Sequence, residues 1–104
     1  MLSQEQLQEL EAQHGRIAHV RSRTEGEWEI VLKKPKRSDY KMYRTQSSNP
    51  RDLPDAQEIL VRKMLVFPDA DTFAAMLEEY PAIPEACTMA VVNLTGMAVA
   101  ADSK

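Results

Sequence analysis

A run of cations and aromatic rings near the middle of the chain contains the side chains best suited to binding chemistry. The run lies within residues 33–44 and consists of Lys33, Lys34, Lys36, Arg37, Tyr40, Lys41, Tyr43 and Arg44. Lysine and arginine bind phosphate or carboxylate groups, and tyrosine rings stack on bases or provide large contact areas. This composition indicates a surface for a charged partner, although a solvated strand end followed by a helix start has the same composition.

The residue types that act as nucleophiles, bases or metal ligands do not form a catalytic set. Cys87 is the sole cysteine and lies on the apolar face of a predicted helix, whereas a reactive thiolate needs a nearby base and an electropositive setting. His14 and His19 are not spaced like zinc ligands. Glu78 and Glu79 are neighbours on a predicted helix and fit its solvent-facing surface. Asp69 and Asp71 fit the N-terminal cap of the helix that follows them. We therefore expect no catalytic residue, no metal ion and no cofactor in a protein that is not an enzyme.

Length and composition predict one small domain. The chain has 104 residues, of which 43% are hydrophobic and 28% charged, as is ordinary for a globular protein. No apolar run is long enough to span a membrane, and the polar start is unlike a secretory signal. A single cysteine cannot form an intramolecular disulfide, so a reducing cytosol is the expected compartment. We expect the domain to cover residues 1–97 and residues 98–104 to form a disordered tail.

Charge is divided unevenly along the chain, and the net charge of −3 hides this division. Residues 1–13 carry three acids and no base, residues 14–51 carry ten bases and four acids, and residues 52–104 carry three bases and nine acids. The middle segment therefore has a net charge of +6 and the last segment one of −6. Such a division predicts either ion pairing within the molecule or a polarised surface that selects partners.

The first part of the chain predicts a helix and a β-hairpin. Ser3 and Gln6 have the spacing of a capping box, and Gly15 suits the end of the helix that they begin. Residues 16–33 form the hairpin, with Gly26 in its turn. The second strand alternates: its apolar face consists of Trp28, Ile30 and Leu32, and its other face of Glu27, Glu29, Val31 and Lys33.

The rest of the chain predicts four short helices. The second helix begins at Ser38 and ends before a loop over residues 47–54, and the third begins near Pro54 and ends at Val66–Asp69. The fourth begins at Asp69 or Asp71, and the fifth runs from about Pro84 to Thr95. Their predicted buried faces are Ala56, Ile59, Leu60, Lys63 and Met64, then Phe73, Met76, Leu77 and Tyr80, then Ala86, Cys87, Ala90, Val91 and Leu94. The predicted class is α+β: an N-terminal helix and β-hairpin followed by a compact cluster of about four short helices.

Several motifs follow one another in a definite order along the chain. The order is Gln13-His14-Gly15, the hairpin, Val31-Leu32-Lys33-Lys34-Pro35, Arg37, Tyr40-Lys41-Met42-Tyr43, Ala56, Ile59-Leu60-Val61-Arg62-Lys63-Met64-Leu65-Val66-Phe67-Pro68, Phe73, Leu77, Tyr80-Pro81 and Leu94-Thr95-Gly96. Over roughly residues 8–97, this succession resembles the small tail assembly chaperones of long-tailed bacteriophages and prophages.

The resemblance implies a non-enzymatic role in the cytoplasm of a bacterial host. Proteins of this kind bind the long, largely helical tape-measure protein, keep it soluble, help recruit tail-tube subunits and leave before the particle is finished. From the residues themselves, we expect the partner to contact Lys36, Arg37, Tyr40, Tyr43 and Arg44, which combine contact area with charge. The edges of a hairpin can also pair between copies, so we expect self-association as well.

Two other functions fit the same sequence. The chain could be a small nucleic-acid-binding or regulatory phage protein that uses its basic segment 33–44, although its net acidic charge and the lack of a recognised nucleic-acid module argue against a nucleic acid partner. It could also be a structural tail component that stays in the particle. Neither alternative involves a membrane.

Overall fold

The computed structural model describes residues 2–24 and 26–97 and confirms the predicted α+β class. In chain order, the elements are α1 (Gln4–His14), β1 (Ile17–Arg21), β2 (Glu29–Lys33), α2 (Arg37–Gln46), α3 (Leu53–Met64), β3 (Leu65–Phe67), α4 (Ala70–Glu79) and α5 (Ile83–Val92). The predicted tail over residues 98–104 lies outside the described residues.

The three strands form one antiparallel sheet in the order β1-β2-β3, so β2 is central. Ala18 is paired with Leu32 and Val20 with Ile30, and these four side chains belong to the core face of the sheet. Alternate residues, such as Glu29, point to the opposite face, which we call the outer face. The Leu2 backbone N–H donates to Glu29 Oε1 at 2.9 Å, which ties the chain just before α1 to the outer face.

The third strand differs from the prediction of a two-stranded hairpin. Residues 65–67, which we expected to end the third helix, instead pair with β2, and Phe67 lies opposite Val31. A three-residue apolar run is too short to show a period, and its backbone groups are satisfied by the open edge of β2. Val31, predicted to lie among polar residues, is fully buried, and on the outer face it has a cross-strand neighbour on each side, His19 of β1 and Phe67 of β3.

The core lies between the core face of the sheet and α3, α4 and α5. Its buried members are Ile30, Leu32, Leu60, Val61, Met64, Phe73, Ile83, Cys87 and Val91. The buried face of α3 is rotated from the predicted one, because Val61 is buried while Ile59 is 41% exposed. In α5 the structure likewise buries Ile83 and Thr88 and exposes Ala86. Periodicity identified these helices, but packing against β2 and against each other selected which side faces inward.

Local capping signals fix most helix starts. Ser3 Oγ accepts from the Gln6 backbone N–H, and Gln6 Oε1 accepts from the Ser3 backbone N–H. The predicted capping box is therefore confirmed. Asp69 caps α4 by accepting from the Thr72 N–H at 2.7 Å. The predicted Ser38 cap of α2 is wrong: α2 begins at Arg37, after an extended Lys36.

The position of Asp39 explains this earlier start of α2. Its carboxylate accepts from the Lys36 N–H at 3.1 Å, which moves the cap two residues towards the N-terminus. No helix among the described residues is both long and apolar enough to cross a membrane.

Candidate functional site

Helix α2 brings the five predicted partner-binding residues onto one side. At about 100° per residue, Lys36, Arg37, Tyr40, Tyr43 and Arg44 fall within an arc of about 120° and a length of about 12 Å. We call this set the α2 strip. The predicted residues are therefore neighbours on a single helical surface, and they could contact one partner together.

The side chains of the α2 strip differ in how exposed they are to solvent. Lys36, Arg37 and Arg44 are exposed, and Tyr40 is half-buried. Tyr43 is half-buried as well, but it packs against the core, so part of its role is structural. The two tyrosine rings lie 6.5 Å apart between centroids at an angle of 39°. Tyr40 is therefore the aromatic ring that a partner could reach, flanked by guanidinium groups.

A second cationic feature, which we call the lysine cleft, adjoins the α2 strip. This open cleft has a volume of about 580 Å³ and is lined by Gln13, His14, Lys33, Lys34, Lys36, Ser38, Asp39, Lys63 and Met64. Its lining contains four lysines and one carboxylate, that of Asp39, which already accepts the bond from the Lys36 N–H. Lys36 belongs to both features and joins them into one continuous cationic surface.

Sequence reasoning missed two contributors to the lysine cleft. Lys63 comes from the end of α3 and His14 from the end of α1, far from the basic run in the sequence. The sequence did indicate that Lys63 is unusual, because this lysine interrupts the predicted apolar face of the third helix. Nothing about His14 in the sequence indicated this position.

Exposed apolar side chains lie beside these cations, along the seam between α2 and α3. Met42 is 49% and Ile59 41% exposed. Lys63 Nζ donates to Met42 Sδ at 3.3 Å, so these two helices meet at the mouth of the lysine cleft. Ile59 is one helical turn from Lys63. The seam therefore offers apolar contact area beside Lys63, whereas Met42 lies about 140–160° around α2 from the side chains of Arg37, Tyr40 and Arg44.

Ion pairing within the molecule does not explain the division of charge. Over the described ranges, the ion pairs are His19 with Glu29 at 2.5 Å and the exposed pair Arg62 with Glu58 at 3.0 Å. The cations of the α2 strip and the lysine cleft are in neither pair. Of the two outcomes that the sequence left open, ion pairing within the molecule is therefore limited to these two contacts over the described ranges.

An apolar groove lies at the other end of β2. It has a volume of about 350 Å³ and is lined by Trp28, Glu79, Tyr80, Pro81, Ala82, Ile83 and Ala86. Partial burial, together with the Glu27 and Glu79 carboxylates, raises the pKa of Tyr80. The groove at the start of β2 therefore has two carboxylates beside it, those of Glu27 and Glu79, and the cations Arg21 and Arg23 lie at the same end of the sheet.

A histidine–glutamate pair on the outer face has the groups of a proton-transfer site. Burial favours a higher pKa for Glu29, but the Leu2 N–H and the His19 ring outweigh it, and the pKa is lowered. The pair borders an open depression of about 570 Å³ that Ser22 also lines. The Ser22 hydroxyl donates to the Thr24 carbonyl, so it is engaged with the backbone of the turn rather than with the histidine.

The single thiol is packed away from solvent. Cys87 is fully buried in α5, as its predicted place on an apolar face implied. Burial raises the pKa of its thiol to about 12, so it is not a thiolate at neutral pH. Within residues 2–24 and 26–97, no group of three or more His, Cys, Asp or Glu side chains could hold a metal ion.

Comparisons with known proteins identify the fold and a family. A family model with the description "Domain of unknown function (DUF6848)" matches residues 10–104. A solved structure of an uncharacterised protein, rbstp2171 from Bacillus stearothermophilus, is similar with a TM-score of 0.74 at 19% identity, covering 94% of this chain and 99% of that one. At this identity the likeness shows a shared fold alone. No curated protein matches the sequence.

Proposed function

Because the chain belongs to the DUF6848 family, described as a domain of unknown function, we propose its role from its motif order and its surface. It is a tail assembly chaperone of a long-tailed phage or prophage, acting in the cytoplasm of the bacterial host. It binds the tape-measure protein and keeps it soluble. It also helps to recruit tail-tube subunits and is absent from the finished particle.

The observation that carries the proposal is the α2 strip, in which an aromatic ring lies between two exposed arginines. A tape-measure protein is a long helical chain whose apolar stripe aggregates when it is uncovered. A helix of this kind needs apolar contacts along one side and polar contacts along the rim. Tyr40 supplies an aromatic contact between Arg37 and Arg44, and Met42 and Ile59 add exposed apolar area on the far side of α2 and on α3.

The first test is co-expression with the product of the longest coiled-coil open reading frame downstream of the gene. We expect that long protein to be soluble only in the presence of this chain and to co-purify with it. A long protein that is soluble alone and does not bind would contradict the proposal. Mass spectrometry of purified particles separates a chaperone from a structural tail component, because only the latter is retained.

Charge reversal on the α2 strip tests which surface binds. The double variant Arg37→Glu and Arg44→Glu changes two exposed side chains, so the fold is retained. We expect it to reduce capture of the tape-measure protein about tenfold or more, because the rim charges become repulsive. The matched control is Arg21→Glu with Arg23→Glu, which makes the same charge change at the opposite end of the sheet. An equal loss of tape-measure capture in the two double variants would exclude the α2 strip as the contact surface.

Nucleic acid binding is the second candidate, and one observation favours it. The α2 strip and the lysine cleft form one continuous cationic surface that includes Lys33, Lys34, Lys36 and Arg37. A surface of this kind that neutralises several phosphates would bind with an affinity that falls steeply as salt rises. Titration of a labelled oligonucleotide at several salt concentrations tests this candidate, and binding that is absent even at low salt would exclude it.

A further inference from the structure

The lysine cleft is lined from four parts of the fold, and three of them supply ammonium groups. His14 ends α1, Lys33 ends β2, Lys36 precedes α2, and Lys63 lies at the end of α3. His14 and Lys63 are far in the sequence from Lys33 and Lys36, so only the fold brings all four to one cleft. Lys34 adds a fourth ammonium group to the lining. Like charges this close repel one another, and an anion placed among them would relieve that repulsion.

The ammonium groups have few acceptors of their own. The Lys63 ammonium donates to a thioether, Met42 Sδ, which is a weak acceptor. The single carboxylate in the lining, that of Asp39, is hydrogen-bonded to the Lys36 backbone as the cap of α2. Four lysines and one carboxylate therefore line the cleft, and the resulting excess of three positive charges is suited to an anionic ligand.

The shape and lining of the cleft favour carboxylates on a polypeptide over a nucleic acid. Its volume of about 580 Å³ is enough for a few side chains. No aromatic ring is part of its lining, so bases that entered would have no stacking surface. The chain as a whole carries a net charge of −3, which opposes a long polyanion more than a short acidic segment.

We propose that the lysine cleft is a binding site for an acidic segment of a partner protein, held through its Asp or Glu carboxylates by Lys33, Lys34, Lys36 and Lys63. This site adjoins the contact assigned to the tape-measure protein and shares Lys36 with it. It adds a second, charge-selective interaction to the molecule, whatever the identity of the partner bound by α2.

The test is an NMR titration of the ¹⁵N-labelled protein with a short synthetic peptide rich in glutamate. We expect the backbone amide signals of Lys33, Lys34, residues 36–39, His14 and Lys63 to shift, while those around the apolar groove stay in place. The same peptide with every glutamate replaced by glutamine should produce no shifts. Because the probe is a peptide and not a tape-measure protein, failure here leaves the chaperone proposal standing, and the reverse also holds.

Two variants with the same charge change locate the site. Lys34→Gln with Lys63→Gln alters two exposed lysines of the cleft outside the α2 strip and should weaken peptide binding about tenfold. Arg21→Gln with Arg23→Gln is the control and should change the affinity by less than about twofold, since it acts only through long-range charge. Each variant's own spectrum reports whether the fold is intact.

Four results would overturn the proposal. These are shifts that spread over the whole surface, equal weakening in both variants, an oligonucleotide of equal length that binds the cleft more tightly than the peptide, and inorganic phosphate that competes as well as the peptide. Concentration-dependent shifts at the cleft without peptide, lost in the Lys34→Gln, Lys63→Gln variant, would instead assign the occupant to a second copy of this chain.

Discussion

Glu29 shows how one side chain connects two parts of the molecule. Its carboxylate accepts from the Leu2 N–H at 2.9 Å and pairs with the His19 ring, so it links the start of α1 to β1 and β2. Burial of this carboxylate is offset by these partners, and its pKa lies below the ordinary value of 4.5. The charged form is therefore the one that stabilises the fold.

Replacing Glu29 with Gln should destabilise the protein at neutral pH but not in acid. A lowered pKa in the folded state means that the stabilisation is present above pH 4.5 and is lost as the pH falls through the lowered value. We expect Glu29→Gln to lose about 1 kcal/mol at neutral pH and to approach the stability of the wild type as the pH falls below 4.5 towards about pH 3. Urea unfolding at the two pH values measures this difference.

Glu27→Gln is the matched control for this prediction. Glu27 is an exposed neighbour in the sequence and takes part in neither ion pair of the described chain. Its replacement should leave the unfolding free energy within about 0.5 kcal/mol of the wild type. If Glu29→Gln and the wild type differ by the same unfolding free energy in acid as at neutral pH, the charge of the Glu29 carboxylate is not what stabilises the fold.

At the scale of elements, α4 is attached to the core chiefly through one side chain. Phe73 is its only fully buried residue, and the Arg62 guanidinium of α3 lies 5.8 Å from the centre of its ring. Met76 and Leu77 pack against the same core but remain partly exposed. Loss of the Phe73 ring therefore removes most of what holds this helix.

Phe73→Ala should cost about 3–5 kcal/mol of unfolding free energy, because it removes buried apolar surface and leaves a cavity. Chemical denaturation measures the loss, and amide exchange should show α4 exchanging faster than α5. The control is Met89→Ala, which shortens a side chain that is 67% exposed and should change stability by less than about 0.5 kcal/mol. Similar losses for the two variants would contradict this view of the core.

The element scale also shows where sequence reasoning succeeds. The caps at Ser3 and Asp69 were predictable because each depends on a hydrogen bond to a residue three positions away. The α2 strip was predictable for the same reason, since residues three and four apart on a helix share a side. The start of α2 was misplaced because two residues, Ser38 and Asp39, could each supply a cap, and the sequence does not say which one does.

At the scale of the whole molecule, salt should affect partner binding more than it affects folding. Within the described chain the ion pairs number two, and one of them is exposed, so screening by salt removes little folded-state stabilisation. Raising NaCl from about 0.05 to 0.5 M should leave the melting temperature nearly constant but weaken partner capture several-fold. Thermal unfolding and pull-down at both concentrations measure the two effects. A melting temperature that falls in parallel with capture would refute this separation.

The sequence alone determined the α+β class, most helix starts, the hairpin and the side chains of the α2 strip. All of these follow from the chain's period and from contacts within about four residues. Tertiary structure decided the rest: the third strand, the burial of Val31, the inward face of α3 and the membership of the lysine cleft. These features depend on pairing and packing between residues that are distant in sequence. The outward position of Lys63 and the inward position of Val61 are fixed only when α3 packs against α2, α5 and the sheet.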